Sequence, residues 1–402
     1  MSANHCKTLP CHEWGLNRCR NSKQQLSVLT LANKCLSSSR SSQTRMEFPY
    51  ELLVEIFKVY ASLPGSVSET LLQVCSSWSA VASHEASLWT KFVISEDMVR
   101  STGPHEDATL TRDWVGIFKR RLARAGPSRP LEISVLALHR LLLPVVDVIS
   151  GTDYVHLSRW ETLNIEADAP ITIVSTWGSD ENWTDIGYLI SHRMPSLRRL
   201  TLCGSNINFH AFGGAHNLEE LNVLHSQSPR IGRNNSFPNL KILRITYPPK
   251  YPLCFIPIHS FSLQTIQTLV IGGDVELPDH RGVEGTYPSL SRLEFTERIP
   301  WAIYFMSAPC LRHLILHSSD LFCHQLRRPL PAGMQFAANR RKNKGLLMML
   351  AGTFSTVEVL EVHQDLRNLV LKMVMGEKQL FIHLCELWVL SKDIRKRINL
   401  DR

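Results

Sequence analysis

The chain has 402 residues, of which 44% are apolar and 20% charged, with a formal net charge of +8; it is long and apolar enough to bury a substantial core and to form more than one structural unit. No apolar run reaches the roughly 18 residues that span a bilayer, since the best candidate, LALHRLLLPVVDVIS, is interrupted by His139, Arg140, Pro144 and Asp147. The ten cysteines show no paired short spacings and no apolar leader opens the sequence, which suits reduced thiols in a cytoplasmic or nuclear protein.

Residues 1–45 hold seven basic side chains (Lys7, Arg18, Arg20, Lys23, Lys34, Arg40, Arg45) against one acid, Glu13. Most of the surplus charge therefore sits on a polar, Ser-rich stretch expected to be a disordered tail. Phosphate binding needs a basic face on a folded element, so nucleic acid is not the expected partner. Four residues separate Cys6 from Cys11 and seven separate Cys11 from Cys19, and no second pair follows, so Cys6, Cys11, His12 and Cys19 do not make the two pairs of a structural zinc site, and neither a metal nor a cofactor is expected.

Residues 46–95 read as a small helical unit. Pro49 suits the first turn of a helix, and Leu52, Leu53, Ile56, Phe57 and Tyr60 recur at helical spacing as one apolar stripe. LPG at 63–65 breaks that helix, and Ser66 with Glu69 has the form of a capping box opening a second one. The second helix carries Leu71, Val74, Cys75, Trp78, Val81 and Ala82, and a short third element carries Leu88 and Trp89. Three short elements cannot bury this much apolar surface among themselves, so part of it is expected to meet a partner.

The order Pro, Glu-Leu-Leu, Ile-Phe, then Leu-x-x-Val-Cys-x-x-Trp and Leu-Trp closely resembles the F-box, the module that docks substrate receptors onto the Skp-family adaptor of SCF-type ubiquitin ligases. The resemblance implies an adaptor-facing region containing Pro49, Leu52, Leu53, Ile56 and Phe57, with parts of the Val74, Cys75 and Trp78 segment.

Residues 96–155 read as a connector and first strand. TRDWVGIFKRRLARAG places Trp114, Ile117, Phe118 and Leu122 at helical spacing beside a basic cluster, Lys119, Arg120, Arg121 and Arg124, expected to be a solvated face. Gly126 and Pro127 end the helix, and PLEISVLAL alternates like a strand. This order of F-box, Trp-led helix and Pro-Leu strand is similar to a large group of fungal F-box proteins.

Residues 156–395 repeat the pattern apolar-x-x-Leu-x-apolar, as in MPSLRRLTL, AHNLEELNV, FPNLKILRI and APCLRHLIL. The central leucines are Leu163, Leu200, Leu221, Leu243, Leu269, Leu293, Leu314, Leu360 and Leu387. Most of them recur within the period of roughly 20 to 29 residues that marks irregular leucine-rich repeats. The long gap between Leu314 and Leu360 accommodates either a degenerate extra repeat or an insertion, and RRPLPAGMQFAANRRKNKG within it reads as an exposed loop. In Leu-x-apolar both apolar side chains point to one face of a strand. Stacked repeats share a core and form a parallel sheet with a free outer face.

The expected fold is thus α/β, a small helical F-box followed by a leucine-rich-repeat solenoid with a parallel sheet. Outward residues flanking the central leucines, among them Arg199, Asn222, Arg244, Arg292, His313 and Trp388, are candidates for contacting a target protein. No His-Glu-x-x-His, phosphate-binding Gly-rich loop, Gly-x-Ser-x-Gly or dinucleotide fingerprint occurs, so the chain is not expected to be an enzyme. The resemblance implies a receptor subunit of a cullin-RING ligase, binding the Skp-family adaptor and an unknown target protein. A repeat-based interaction scaffold outside a ligase is the alternative.

Overall fold

The computed structural model describes residues 49–62, 68–100, 109–136, 140–166, 192–203, 214–224, 237–246, 264–272, 285–296, 306–318, 332–375, 381–391, 394–398 and 400. The expected tail, the cysteines within it and Ser66 of the capping box lie outside these residues. Two compact units are distinguished. The first holds the described residues up to Thr90 with Arg121–Arg129, and the second Lys91–Arg120 with the described residues from Pro130 onward.

The first unit opens with helix α1 (Tyr50–Ser62). The Pro49 carbonyl accepts from the Leu53 N–H at 3.2 Å, and Glu51 in the first turn complements the positive end of the helix dipole. The expected second helix is divided. A 3-10 turn, Ser68–Gln73, is followed by α2 (Ser76–His84), with Cys75 extended between them. The Glu69 carboxylate receives both Nε and Nη2 of Arg121. A further 3-10 turn, Ala86–Trp89, is capped by Glu85, which accepts from the Ser87 N–H at 3.3 Å, satisfying one of the turn's free donors. Leu53, Phe57, Tyr60, Leu71, Val81, Ala82, Leu88 and Trp89 form the core. The Trp89 indole N–H is satisfied by the Ala82 carbonyl at 2.7 Å, as a buried indole requires.

The second unit begins with β1 (Lys91–Ile94) and the antiparallel pair β2 (Val99–Arg100) and β3 (Thr109–Leu110). Helix α3 (Trp114–Ala125), whose residues up to Arg120 belong to this unit and the rest to the first, follows, capped by Asp113, whose Oδ1 accepts from the Gly116 N–H at 2.8 Å, the usual bond of a capping carboxylate. Gly126 ends it with φ +75°, the left-handed conformation that glycine adopts without strain. Within this unit the ring of Phe118 meets Phe92 edge-on at 5.3 Å. The chain then forms β4 (Leu131–Val135), α4 (Leu143–Ser150), β5 (Trp160–Glu166), β6 (Arg199–Cys203), β7 (Glu220–Leu224), β8 (Ile242–Thr246) and β9 (Thr268–Gly272). After these come β10 (Gly285–Thr286), β11 (Arg292–Phe295), β12 (Met306–Ser307), β13 (His313–Leu316), α5 (Ala332–Thr353), β14 (Val359–His363), α6 (Arg367–Val374), β15 (Glu386–Ser391) and β16 (Ile394–Ile398).

Among the described residues, twelve strands join in one sheet, ordered β1-β4-β5-β6-β7-β8-β9-β11-β13-β14-β15-β16. Neighbours pair parallel throughout, except β15 with β16. Chain order is sheet order, as stacked repeats require. The central leucines are direct partners across this sheet: Leu163 opposes Leu200, then Leu221, Leu243, Leu269, Leu293, Leu314, Leu360 and Leu387 in succession. Ile133 and Phe92 continue the row on β4 and β1. All of these side chains are buried.

A recurrent turn sets each strand's entry. The N–H of the motif's first apolar residue donates to the carbonyl three residues back, as in Leu197 to Met194 at 3.1 Å, Leu240 to Phe237 at 3.2 Å and Leu311 to Ala308 at 3.1 Å. Pro195, Pro238, Pro288 and Pro309 occupy the second position of such turns, where their fixed φ is pre-organised. The turns add a core row that the repeat pattern alone did not name: Met194, Ala215, Phe237, Tyr287, Ala308, Phe354 and Phe381 are all buried.

Because β13 pairs directly with β14, no extra strand of this sheet intervenes between Leu314 and Leu360. The insertion contains α5, so the expected exposed loop is, from Ala332, helical. Among the described residues, no helix is long and apolar enough to cross a membrane.

Candidate functional site

Two surfaces collect the residues singled out by sequence, one in each unit. On α1 the expected single apolar stripe divides into two faces. Leu53, Val54, Phe57 and Tyr60 turn inward, and Phe57 is 0% exposed. Leu52 (53% exposed), Ile56 (39%) and Val59 (62%) turn outward, beside an exposed Tyr50. Leu52, Ile56 and Val59 stand at i, i+4 and i+7 and share one side of the helix. Sequence reasoning missed Tyr50 and Val59, although the same spacing extended to Val59 would have found it. Pro49 is exposed, and Val74, Cys75 and Trp78 are half-buried.

Trp78 packs edge-on against Phe57 at 4.9 Å, a favoured geometry for aromatic pairs, so the two rings brace α1 on α2. Leu53 and Phe57, which the resemblance places in the adaptor-facing region, consequently hold the unit together from inside. Burial pushes the Cys75 thiol up, but hydrogen bonds from the Ser77 side chain and from the Trp78 and Ser77 N–H groups outweigh it and hold the thiol below its ordinary value. The basic cluster of α3 is also divided. Lys119 and Arg120 are exposed, whereas Arg121 binds Glu69 and the Arg124 guanidinium lies 4.6 Å from the Trp89 ring centroid, within cation–π range. That corrects the expected solvated face for Arg121 and Arg124.

The second surface is the outer face of the sheet, where residues flanking the central leucines stack in rows. Their polar groups bind one another. Arg199 Nε donates to Thr162 Oγ1 at 3.1 Å, and Asn222 Nδ2 to Thr201 Oγ1 at 3.1 Å. Arg244 Nη1 pairs with the Glu220 carboxylate and also donates to Asn222 Oδ1 at 3.0 Å. Further along, Arg292 Nη2 donates to Glu294 Oε2 at 3.0 Å and His317 Nε2 lies 2.9 Å from Glu294 Oε1. The His317 contact, opposed by burial and reinforced by Arg292, holds the Glu294 carboxyl down at about 2, since hydrogen bonds and cations favour the ionised form.

At the C-terminal end of the sheet, the Glu361 side chain is only 6% exposed. Its Oε1 lies 2.5 Å from His313 Nε2 and receives Arg395 Nη2 at 2.6 Å. The same Arg395 guanidinium sits 4.4 Å from the centroid of the Trp388 ring. The Trp388 indole donates to Glu386 Oε2 at 2.9 Å, and Glu386 Oε1 pairs with Arg397 Nη2 at 2.9 Å. Glu386, Arg395 and Arg397 were not among the expected contact residues. Arg395 and Arg397 stand in IRKRI, which lacks the repeat's leucine and gave no signal.

On the turn side, a cleft of about 310 Å³ is lined by Arg198, Asn217, Glu219, Asn239 and Lys241. Arg198 and Lys241 both lie against Glu219, at 3.6 and 3.2 Å. Asn217 and Asn239 donate to the carbonyls of Pro195 and His216 in the preceding turns, at 2.7 and 2.9 Å. These groups staple one repeat to the next. Among the described residues, no group of three or more His, Cys, Asp or Glu side chains could hold a metal ion. In comparisons with known proteins, no family model matches the chain and no curated protein matches it in sequence.

Proposed function

We propose that the chain is the substrate-recognition subunit of an SCF-type ubiquitin ligase, in which α1 docks the Skp-family adaptor and the outer face of the sheet captures a target protein. One observation carries the proposal. Within the segment that has the F-box residue order, α1 leaves Leu52, Ile56 and Val59 outward although they are apolar. A helix in a unit this small keeps such a row exposed at a cost in solubility, which burial against a partner relieves. The sheet supports the second half of the role, because a parallel array with a broad polar outer face reads protein surfaces. The chemistry asked of the chain is proximity: a target held beside the transferring enzyme reacts at a raised effective concentration.

The test uses the full chain and a purified Skp-family adaptor. Replacing Leu52 and Ile56 together by serine removes two outward side chains that the core does not need. Interface anchors of this kind commonly cost about 2 kcal/mol or more, so capture should weaken at least about thirtyfold, with the unfolding midpoint unchanged. Undiminished capture by a folded double variant would overturn the docking surface. A native chain that captures no adaptor would instead leave a repeat-based scaffold outside a ligase.

A further inference from the structure

We propose that the outer face of β14 and β15 is a receptor for an extended protein segment bearing arginines at alternate positions, and that β16 occupies this receptor from within the chain. The proposal rests on the reading of the outer face as a protein-capturing surface, and does not depend on adaptor docking by α1.

Strand β16 differs from the rest of its sheet. It pairs antiparallel where its neighbours pair parallel, and Ile394, Arg395, Lys396 and Arg397 are all exposed. It contributes no fully buried side chain to the apolar core, whereas β14 and β15 insert Leu360, Val362 and Leu387. It is held by backbone hydrogen bonds to β15 and by its two outward arginines. A strand attached mainly through polar contacts, with only Ile398 half-buried opposite Leu387, belongs to the less stable part of a structure.

The groups beneath it are built for guanidinium. Glu361 offers a buried carboxylate, Trp388 offers a ring face 4.4 Å from the Arg395 guanidinium carbon, and Glu386 offers a second carboxylate. Carboxylate with aromatic face is the pairing that favours a planar guanidinium over an ammonium. Register sets the spacing: Arg395 lies opposite Leu390 and Arg397 opposite Trp388, so both arginines lie on the outer face with one residue between them. When β16 leaves, Glu361 keeps only His313 among the partners just described, and a desolvated carboxylate demands a replacement cation. An incoming strand that pairs with the β15 edge and brings Arg-x-Arg satisfies both needs. The acids exclude a phosphate-bearing partner here.

The test uses the full chain with Arg395→Glu and Arg397→Glu, which drives β16 from Glu361 and Glu386 by like-charge repulsion. The probe is a fluorescein-labelled peptide with the sequence of residues 391–400, followed by anisotropy. The variant should bind it at least tenfold tighter than the unmodified chain. Adding Glu361→Gln to the variant, or replacing both peptide arginines by glutamine, should each remove that gain. A folded variant that does not bind, or that binds the glutamine peptide equally well, overturns the proposal.

Should the double variant fail to fold, hydrogen exchange on the unmodified chain decides: β16 amides should exchange at least tenfold faster than those of β14, and equal protection overturns the proposal. A chain that binds the peptide but captures no adaptor removes the ligase reading alone. One that captures adaptor through α1 but never binds the peptide removes this proposal alone.

Discussion

Replacing Arg121 by alanine removes the partner of a carboxylate that the fold has taken out of water. The Arg121 side chain is 12% exposed and that of Glu69 24% exposed, and the two meet through a fork of two hydrogen bonds. Burial alone would push the Glu69 carboxyl up, but the Arg121 hydrogen bonds and charge more than offset this and hold it below its ordinary value. Breaking a fully buried pair costs about 3–5 kcal/mol; with Glu69 still partly wetted, about 1–3 kcal/mol is expected here. The sign with pH follows. In the native chain the depressed carboxyl contributes stability above its unfolded pKa, and that contribution is lost as pH falls through the folded value. In Arg121→Ala the folded carboxyl shifts upward, so its penalty is present at neutral pH and relieved as the pH falls. The gap between the two proteins should therefore be widest near neutrality and close in acid. Hydrogen exchange on residues 68–90 and 121–129, at several pH values, measures this locally. Adding Glu69→Gln to the variant should recover part of the loss by removing the unpaired charge. A loss below about 0.5 kcal/mol, or no recovery with Glu69→Gln, would refute the electrostatic reasoning.

Two further predictions concern the sheet. Leu243→Ala empties a fully buried position in the leucine row and should destabilise by about 2–5 kcal/mol, whereas Arg244→Ala, next in sequence but on the half-exposed outer face, should cost no more than about 1 kcal/mol; urea unfolding of both variants compares them, and equal losses would contradict the register. Glu294, held at about 2 rather than its ordinary 4.5, should contribute stability at neutral pH that disappears as the pH falls toward the folded value. Glu294→Gln should flatten that part of the stability–pH curve, losing about 1–2 kcal/mol at neutral pH after solvent screening, as measured by denaturant unfolding at each pH.

The leucine row was legible because it depends on two short periods at once. Alternation within a strand fixes which residues share a face, and a recurrence of roughly 20 to 29 residues fixes which strands are equivalent. The same rule failed on α1 for a physical reason. Leu52 and Leu53, like Ile56 and Phe57, are adjacent apolar pairs, so the apolar arc is wider than one contact face and periodicity cannot say which half turns inward. The break at Val74 and Cys75 carries no glycine or proline, and an unbroken helix was expected. Glu69 and Arg121 are distant in the chain, and no local pattern relates them. Between Ala332 and Thr353 the helical propensity of Ala, Met, Gln, Arg and Lys prevails over a clustered charge that resembles a loop's.

The outer face carries its own consequence for recognition. Each of the six residues expected to contact a target already has a partner in the sheet: Arg199 has Thr162, Asn222 has Thr201, Arg244 has Glu220, Arg292 has Glu294, His313 has Glu361 and Trp388 has Glu386. A bound protein therefore gains only the difference between its own contacts and those it replaces, which for ordinary hydrogen bonds is small. Charge on such a face selects among partners and speeds encounter more than it tightens binding. Affinity must then come from a place where displacement exposes something that needs a partner. Glu361 meets that condition, because its carboxylate is buried and its arginine partner, Arg395, sits on a strand with no fully buried residue. For the proposed receptor role, which works by proximity, modest and selective capture is sufficient, since the target need stay only long enough for transfer and must then leave.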